Sequence, residues 1–242
     1  MKTDELPGLP HSDTIHDTDA GDHTVVGAAG VGLAAAITAG GRSRRFGQDK
    51  ALYAVQGVPL LNRVAGSLQA FSPRLLIAPE GRYILAGWAQ HADLRPGEGP
   101  LAGLETALSV LAAHGSVHDS APLWLAFAAV DLPNLTARYW HLLADRAGPG
   151  ARPTVRAVLG LDARQRPQPL AGLYHVSLLP LVTALLGAGE RRMLALTEHL
   201  TSEQGAAGEA RPGQGPGCEF VPWEVVEAVC PEAYVNLNTP PE

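Results

Sequence analysis

The run Leu123–Val130, LWLAFAAV, carries no polar side chain except the indole of Trp124 and stops abruptly at Asp131. A strand with one wet face alternates apolar and polar residues. A strand that fails to alternate is covered on both faces, which is the habit of parallel strands sandwiched between helices. Leu33–Thr38, LAAAIT, is a second run of this kind and leads into Ala39-Gly40-Gly41. Amphipathic stretches lie between and beyond such runs. Pro59–Ala70 puts Leu60, Leu61, Val64 and Leu68 on one helical face with a proline in the first turn. Leu101–Ala113 follows a Gly-Glu-Gly-Pro turn, Thr136 caps a helix to Ala147, and Val176–Leu186 is helical. Arg74–Ala78, Arg152–Leu161 and Gln168–Tyr174 read as further strands. Strands alternating with helices predict a three-layer α/β fold around a mostly parallel, doubly wound sheet.

The length of 242 residues suits one such domain. Residues 1–30 are polar or Gly-rich and lack a sustained period, so they are expected to form a disordered N-terminal extension to a domain over 31–242. His11, His16 and His23 lie in that extension without a spacing that would fix a metal geometry. The Gly/Pro/Glu-rich piece 201–217 is expected to be a flexible loop. A formal net charge of −6 argues against nucleic acid as a partner, but leaves room for a small anion beside a local cluster of cations. Cys218 and Cys230 have neither metal-ligand spacing nor the count of a disulfide framework. Thr24–Gly41 is uncharged but rich in Gly and Ala, too weakly apolar for a membrane span, and preceded by acids rather than a basic leader. The expectation is a cytoplasmic protein with no membrane association.

In an open parallel sheet, ligands bind beyond the carboxyl ends of the strands. The loop after Thr38 and the residue Asp131 should therefore meet. Gly40 and Gly41 let the backbone turn its N–H groups toward a phosphate. Arg42, Arg44, Arg45, Gly47 and Lys50 follow within a few residues. Arginine forks onto phosphate oxygens and lysine adds a point charge. The competing reading is a solvated basic turn. The loop is not a Walker A loop, because G-x-x-x-x-G-K-[ST] is absent. Asp131, ending a buried strand before Leu132-Pro133, either caps the turn or holds Mg²⁺ beside a triphosphate.

Ile37–Lys50 resembles the L-A-G-G-x-S-x-R-M-G-x-D-K segment of the MobA family, the molybdenum cofactor guanylyltransferases. Further segments are similar to that family's in the same order: Gly57-Val-Pro59-Leu60, Gly99-Pro100-Leu101-Ala102-Gly103, Val130-Asp131-Leu132-Pro133, Gly189-Glu190-Arg191-Arg192, and Tyr234-Val-Asn236-Leu-Asn238-Thr-Pro240. The resemblance spans about residues 33 to 242. It implies a Rossmann-like nucleotidyltransferase fold and transfer of GMP from GTP to molybdopterin, with pyrophosphate released. It also implies backbone contacts to the nucleotide from Thr38, Ala39 and Gly40, phosphate neutralisation by Lys50, Mg²⁺ on Asp131, and a guanosine-site acid at Asp93. On the loop's own chemistry, Arg45 and the Gly40–Gly41 amides are expected to share in neutralising the phosphates. Asn236 and Asn238 are read either as pterin contacts on one strand face or as turn-formers. Arg191 and Arg192 either approach the acceptor's phosphate or form a solvated helix end. GTP and molybdopterin are the implied small-molecule partners, with molybdoenzymes or cofactor-insertion proteins downstream. Cytidylyl transfer, another nucleotidyltransferase of the fold, and a non-catalytic GTP-binding delivery protein are the alternatives. The chain departs from the family's pattern at Thr38 for Leu, Phe46 for Met, Ala129 for Cys, Ala78 for a nucleotide-contacting Asn, and Gln168 for His. It also ends soon after Asn-Thr-Pro.

Overall fold

The computed structural model describes residues 32–40, 49–115, 124–148, 151–152, 154–202 and 217–237. A seven-stranded sheet forms its middle layer. The first strand, β1 (Leu33–Thr38), is flanked on one side by β4 (Arg74–Ile77) and on the other by β6 (Trp124–Ala129), both parallel to it. β5 (Ala89–His91) extends the β4 edge. Beyond β6 come β8 (Pro167–His175), β7 (Ala157–Leu161) and β9 (Cys218–Val221), giving the order β5-β4-β1-β6-β8-β7-β9. A small antiparallel hairpin, β2 (Ala54–Val55) with β3 (Val58–Pro59), stands apart from it.

The two faces of β1 lead into different cores. Leu33, Ala35 and Ile37 face a cluster with residues of α1 (Leu60–Ser67), α3 (Ala137–Ala147) and α6 (Trp223–Val229). Ala34 and Ala36 face a second cluster with α2 (Pro100–Gly115), α4 (Leu179–Gly187) and α5 (Met193–Ser202). The same division splits Trp124, Ala126 and Ala128 of β6 from Leu125 and Phe127. This is the three-layer, mostly parallel architecture expected from runs that do not alternate. The alanines matter to its geometry, because small side chains on β1 let helices sit close. Gly103 takes this furthest: a Cβ there would lie 3.0 Å from the Thr38 hydroxyl, so α2 presses directly onto the end of β1.

One departure from parallel order has a local cause. β8 runs antiparallel to both β6 and β7. The turn from β7 to β8 is only Asp162–Arg166, far too short for a crossover. The Asp162 carboxylate closes it by accepting from the Arg164 and Arg166 amides, each at 2.9 Å, while Gln165 takes φ 58°. Other expectations shift at the margins. α1 ends at Ser67 rather than Ala70, and Thr201 and Ser202 finish α5 instead of opening a loop. The strands β5 and β9, the hairpin, α5 and α6 were not legible as separate elements. Among the described residues no helix is long and apolar enough to cross a membrane.

Candidate functional site

Pairing aligns Thr38 of β1 with Ile77 of β4 and with Ala129 of β6, so three carboxyl ends finish together. β4 and β5 lie on one side of β1, while the chain returns to its other side as β6. A crevice opens where the order reverses, as this topology requires. The cleft is about 960 Å³ and is lined by Thr38, Ala39, Gly40, Lys50, Asp93 and Asp131, among others. That is near the top of the roughly 300–1,000 Å³ typical of small-molecule sites, and a nucleotide with a second substrate needs such room.

Lys50 opens a short 3₁₀ turn, Lys50–Leu52, for which Asp49 is the N-cap. The lysine is 9% exposed and reaches across to the end of β6. Its Nζ lies 3.4 Å from Asp131 Oδ2 and 3.3 Å from Asn236 Oδ1. The Asn236 Nδ2 donates to the same Asp131 oxygen at 3.2 Å, closing a triangle of side chains. The Leu237 amide adds a bond to the Asp131 carbonyl at 3.4 Å. Residues 81 and 105 or more apart in sequence thus share one carboxylate oxygen. Asp131 Oδ1 has no partner among the described residues.

Asp93 also lines the cleft, in the turn after β5. Its Oδ1 accepts from the Arg95 amide at 3.0 Å and lies 3.2 Å from the Thr106 hydroxyl of α2. Arg95 in turn pairs with Glu105 at 2.8 Å, which fastens the turn to that helix. Burial raises the Asp93 carboxyl above its ordinary value, and the Arg95 and Thr106 bonds offset only part of that effect. Gly97 and Gly99 in the same wall have φ of 84° and 88°, where other residues would be strained.

Several expectations are altered by this geometry. The Ala39 amide donates to the Ile77 carbonyl at 3.0 Å, so Ala39 can offer a ligand only its carbonyl. Gly40 is the first residue beyond that ladder. Asn236 lies in irregular chain rather than on a strand, and its side chain is bound to Lys50 and Asp131. Arg191 and Arg192 do not line the cleft. Arg191 pairs with Glu98 at 3.0 Å and donates to the Leu186 and Glu190 carbonyls, while Arg192 pairs with Glu190 at 2.7 Å. That pairing, with the Arg191 and Arg192 amides, pulls the Glu190 carboxyl down to about 2. Gln168 bonds to Asp162 at 3.2 Å, in the β7–β8 turn. Gly41, Arg45, Asn238 and the extension 1–30 lie outside the described residues.

Sequence reasoning passed over Asp49, Arg82, Tyr83 and Leu170 as cleft residues. No spacing marks Arg82 and Tyr83, which arrive from the loop after β4. Leu170 is at the cleft only because β8 inserts next to β6. Among the described lining residues two cations, Lys50 and Arg82, stand against three carboxylates, Asp49, Asp93 and Asp131.

The family model described as a MobA-like NTP transferase domain matches residues 35–204. A probable molybdenum cofactor guanylyltransferase of Deinococcus radiodurans is 53% identical over 161 residues, covering 66% of this chain and 77% of that protein. One from Opitutus terrae is 36% identical over 166 residues, covering 66% and 75%. Among solved structures, the molybdopterin-guanine dinucleotide biosynthesis protein A of Archaeoglobus fulgidus superposes with a TM-score of 0.60 at 21% identity, covering 86% of this chain and 93% of that one.

Proposed function

Because the chain belongs to the family of MobA-like NTP transferases, we propose that it transfers GMP from GTP to the phosphate of molybdopterin and releases pyrophosphate. The observation that carries this reading is the Lys50–Asp131–Asn236 triangle at the carboxyl ends of β1 and β6. It puts a buried ammonium and a carboxylate at one point of a cleft with room for two substrates, tied together by the Asn236 side-chain amide.

The acceptor is a phosphate and already an anion, so it needs no strong general base. The obstacle is the approach of one anion to another while a third departs. Lys50 places positive charge where that charge accumulates, and its fixed position avoids reorganisation during the reaction. MobA-like transferases depend in general on a divalent metal, and we assign magnesium. Asp131 fits it: Oδ1 is open among the described residues, and one or two carboxylates with substrate phosphates are the usual magnesium set. Among the described residues no three His, Cys, Asp or Glu converge on a point, so the protein alone forms no cage. Such an ion supplies charge neutralisation at the phosphates and alignment of the in-line displacement. The described cleft carries more carboxylates than cations, so a triphosphate enters with its metal and with help from the loop that bears Arg45.

Asp93 Oδ2, which has no partner among the described residues, accepts from the N–H edge of guanine. Asn236 bonds to both Lys50 and Asp131, which makes it an organiser of the charged pair. Downstream, molybdoenzymes or cofactor-insertion proteins take the product. Asp131→Ala tests the reading. Metal-dependent release of pyrophosphate from GTP in the presence of molybdopterin is expected in the wild type and lost by about 10²-fold or more in the variant. Equal release by the two proteins would remove Asp131 from the mechanism.

A further inference from the structure

Asp49 precedes the site lysine and reaches away from it, toward the loop after β4. Its Oδ1 accepts from the Ala51 amide at 3.1 Å and from the Tyr83 hydroxyl at 2.9 Å. Its Oδ2 accepts from Arg82 Nε at 2.9 Å, with the Arg82 terminal nitrogen at 2.8 Å and the Tyr83 hydroxyl at 3.0 Å. Two oxygens thus serve two nitrogens of one guanidinium, one backbone amide and one phenol. Only a carboxylate meets that demand, because every neighbour is a donor. Tyr83 is 6% exposed, and burial together with the Asp49 bond keeps its hydroxyl protonated far above neutral pH. The Arg82 guanidinium also lies 5.5 Å from the centre of the Tyr83 ring.

This assembly connects two walls of the cleft. Lys50, Asp49, Arg82 and Tyr83 all line it, yet the lysine belongs to the chain after β1 and the other pair to the chain after β4. The turn carrying Lys50 is only three residues long, and its cap bond comes from Asp49 itself. Three residues of 3₁₀ helix have little stiffness of their own. We infer that Asp49 is a positioning residue that holds the Lys50 turn in a fixed place against the loop after β4 through Arg82 and Tyr83. Lysine has a long flexible stem, so the place of its ammonium depends on where its backbone is anchored. A displacement of about 1 Å in a positioned group can lower turnover by about 10²-fold. The inference rests on the role given to Lys50 above and adds the device that sets its position.

The test is a double-mutant cycle between Asp49→Ala and Lys50→Ala, read on turnover with GTP and molybdopterin. It is read in parallel on the affinity for magnesium tripolyphosphate, which needs no acceptor. Melting temperatures are recorded for each variant. Asp49→Ala alone is expected to lower kcat by about 10-fold or more while KM for GTP moves less than about threefold. In the Lys50→Ala background the same change should cost less than about twofold, since its effect runs through the absent ammonium. Asp49→Asn keeps an oxygen for the Ala51 amide and the Tyr83 hydroxyl but loses Arg82, and should recover part of the loss.

Full additivity on both readouts, or no effect of Asp49→Ala, would overturn the inference while leaving Lys50 in place. If Lys50→Ala kept wild-type turnover and tripolyphosphate affinity, the role of Lys50 would fail, and the positioning role with it. Tripolyphosphate binding with the expected non-additivity, but no turnover on molybdopterin, would keep the latch and reject the proposed reaction.

Discussion

Asp93 presents its two oxygens to different surroundings, and that asymmetry has a thermodynamic consequence. Oδ1 is held by the Arg95 amide and the Thr106 hydroxyl, while burial raises the carboxyl above the ordinary aspartate value of 3.8. The folded chain therefore holds this proton more tightly than the unfolded chain, so ionisation at neutral pH opposes folding. That penalty is absent below the unfolded value of about 3.9, grows as pH rises through the raised folded value, and is complete above it. Asp93→Asn retains an acceptor at Oδ1 and removes the charge. It should raise the melting temperature at pH 7, with the gain vanishing below about pH 4, and it should weaken preference for GTP. A variant that melted lower at pH 7 would contradict the burial argument. At this scale Lys50 and Asp131 were legible, because a cation-rich glycine loop and an acid ending an apolar run are both local patterns. Asp49, Arg82 and Tyr83 were not, because their meeting depends on the path of the loop after β4. The triangle with Asn236 was hidden for the same reason: its members come from three distant segments.

Between elements, the contact of α1 with α3 is fixed by one polar chain inside the core. The Trp140 indole N–H donates to the Ser67 hydroxyl at 3.0 Å, and that hydroxyl donates to the Val64 carbonyl at 2.7 Å. Trp140 is fully buried, so its indole N–H does not face bulk water. Ser67→Ala should cost about 1–3 kcal/mol by leaving the indole donor unpaired. For a domain of this size each 1 kcal/mol lowers the melting temperature by about 2–4 °C. Adding Trp140→Phe to that variant should cost less than Trp140→Phe costs in the wild type, a difference thermal melts can resolve. The long elements could be read from sequence because period and burial agree in them. β5 and β9, of three and four residues, are too short to show a period, and they are strands only because a neighbour supplies the ladder. The antiparallel insertion of β8 was likewise unreadable from its own residues. It follows from the short Asp162–Arg166 turn, in which the Asp162 carboxylate accepts hydrogen bonds from the Arg164 and Arg166 backbone amides.

For the molecule as a whole, the order of strands decides where the chemistry sits. β1 lies between β4 and β6, all parallel, and the reversal of strand order on the two sides of β1 opens a crevice at the carboxyl ends. The apolar runs were enough to anticipate that crevice, since both end in the residues that line it. The identity of the base and the acceptor is a different matter. A protein of net charge −6 with more carboxylates than cations among the described lining residues selects its triphosphate through a few directed contacts. The contact assigned to the base is the Asp93 carboxylate, an acceptor suited to the N1–H and 2-amino group of guanine and unsuited to the acceptor-rich edge of cytosine. Guanylyl transfer is therefore tested by turnover of GTP, CTP and ATP on molybdopterin under identical magnesium. GTP should exceed the others in kcat/KM by at least about 10-fold, whereas a preference for CTP or ATP would contradict the guanylyl assignment.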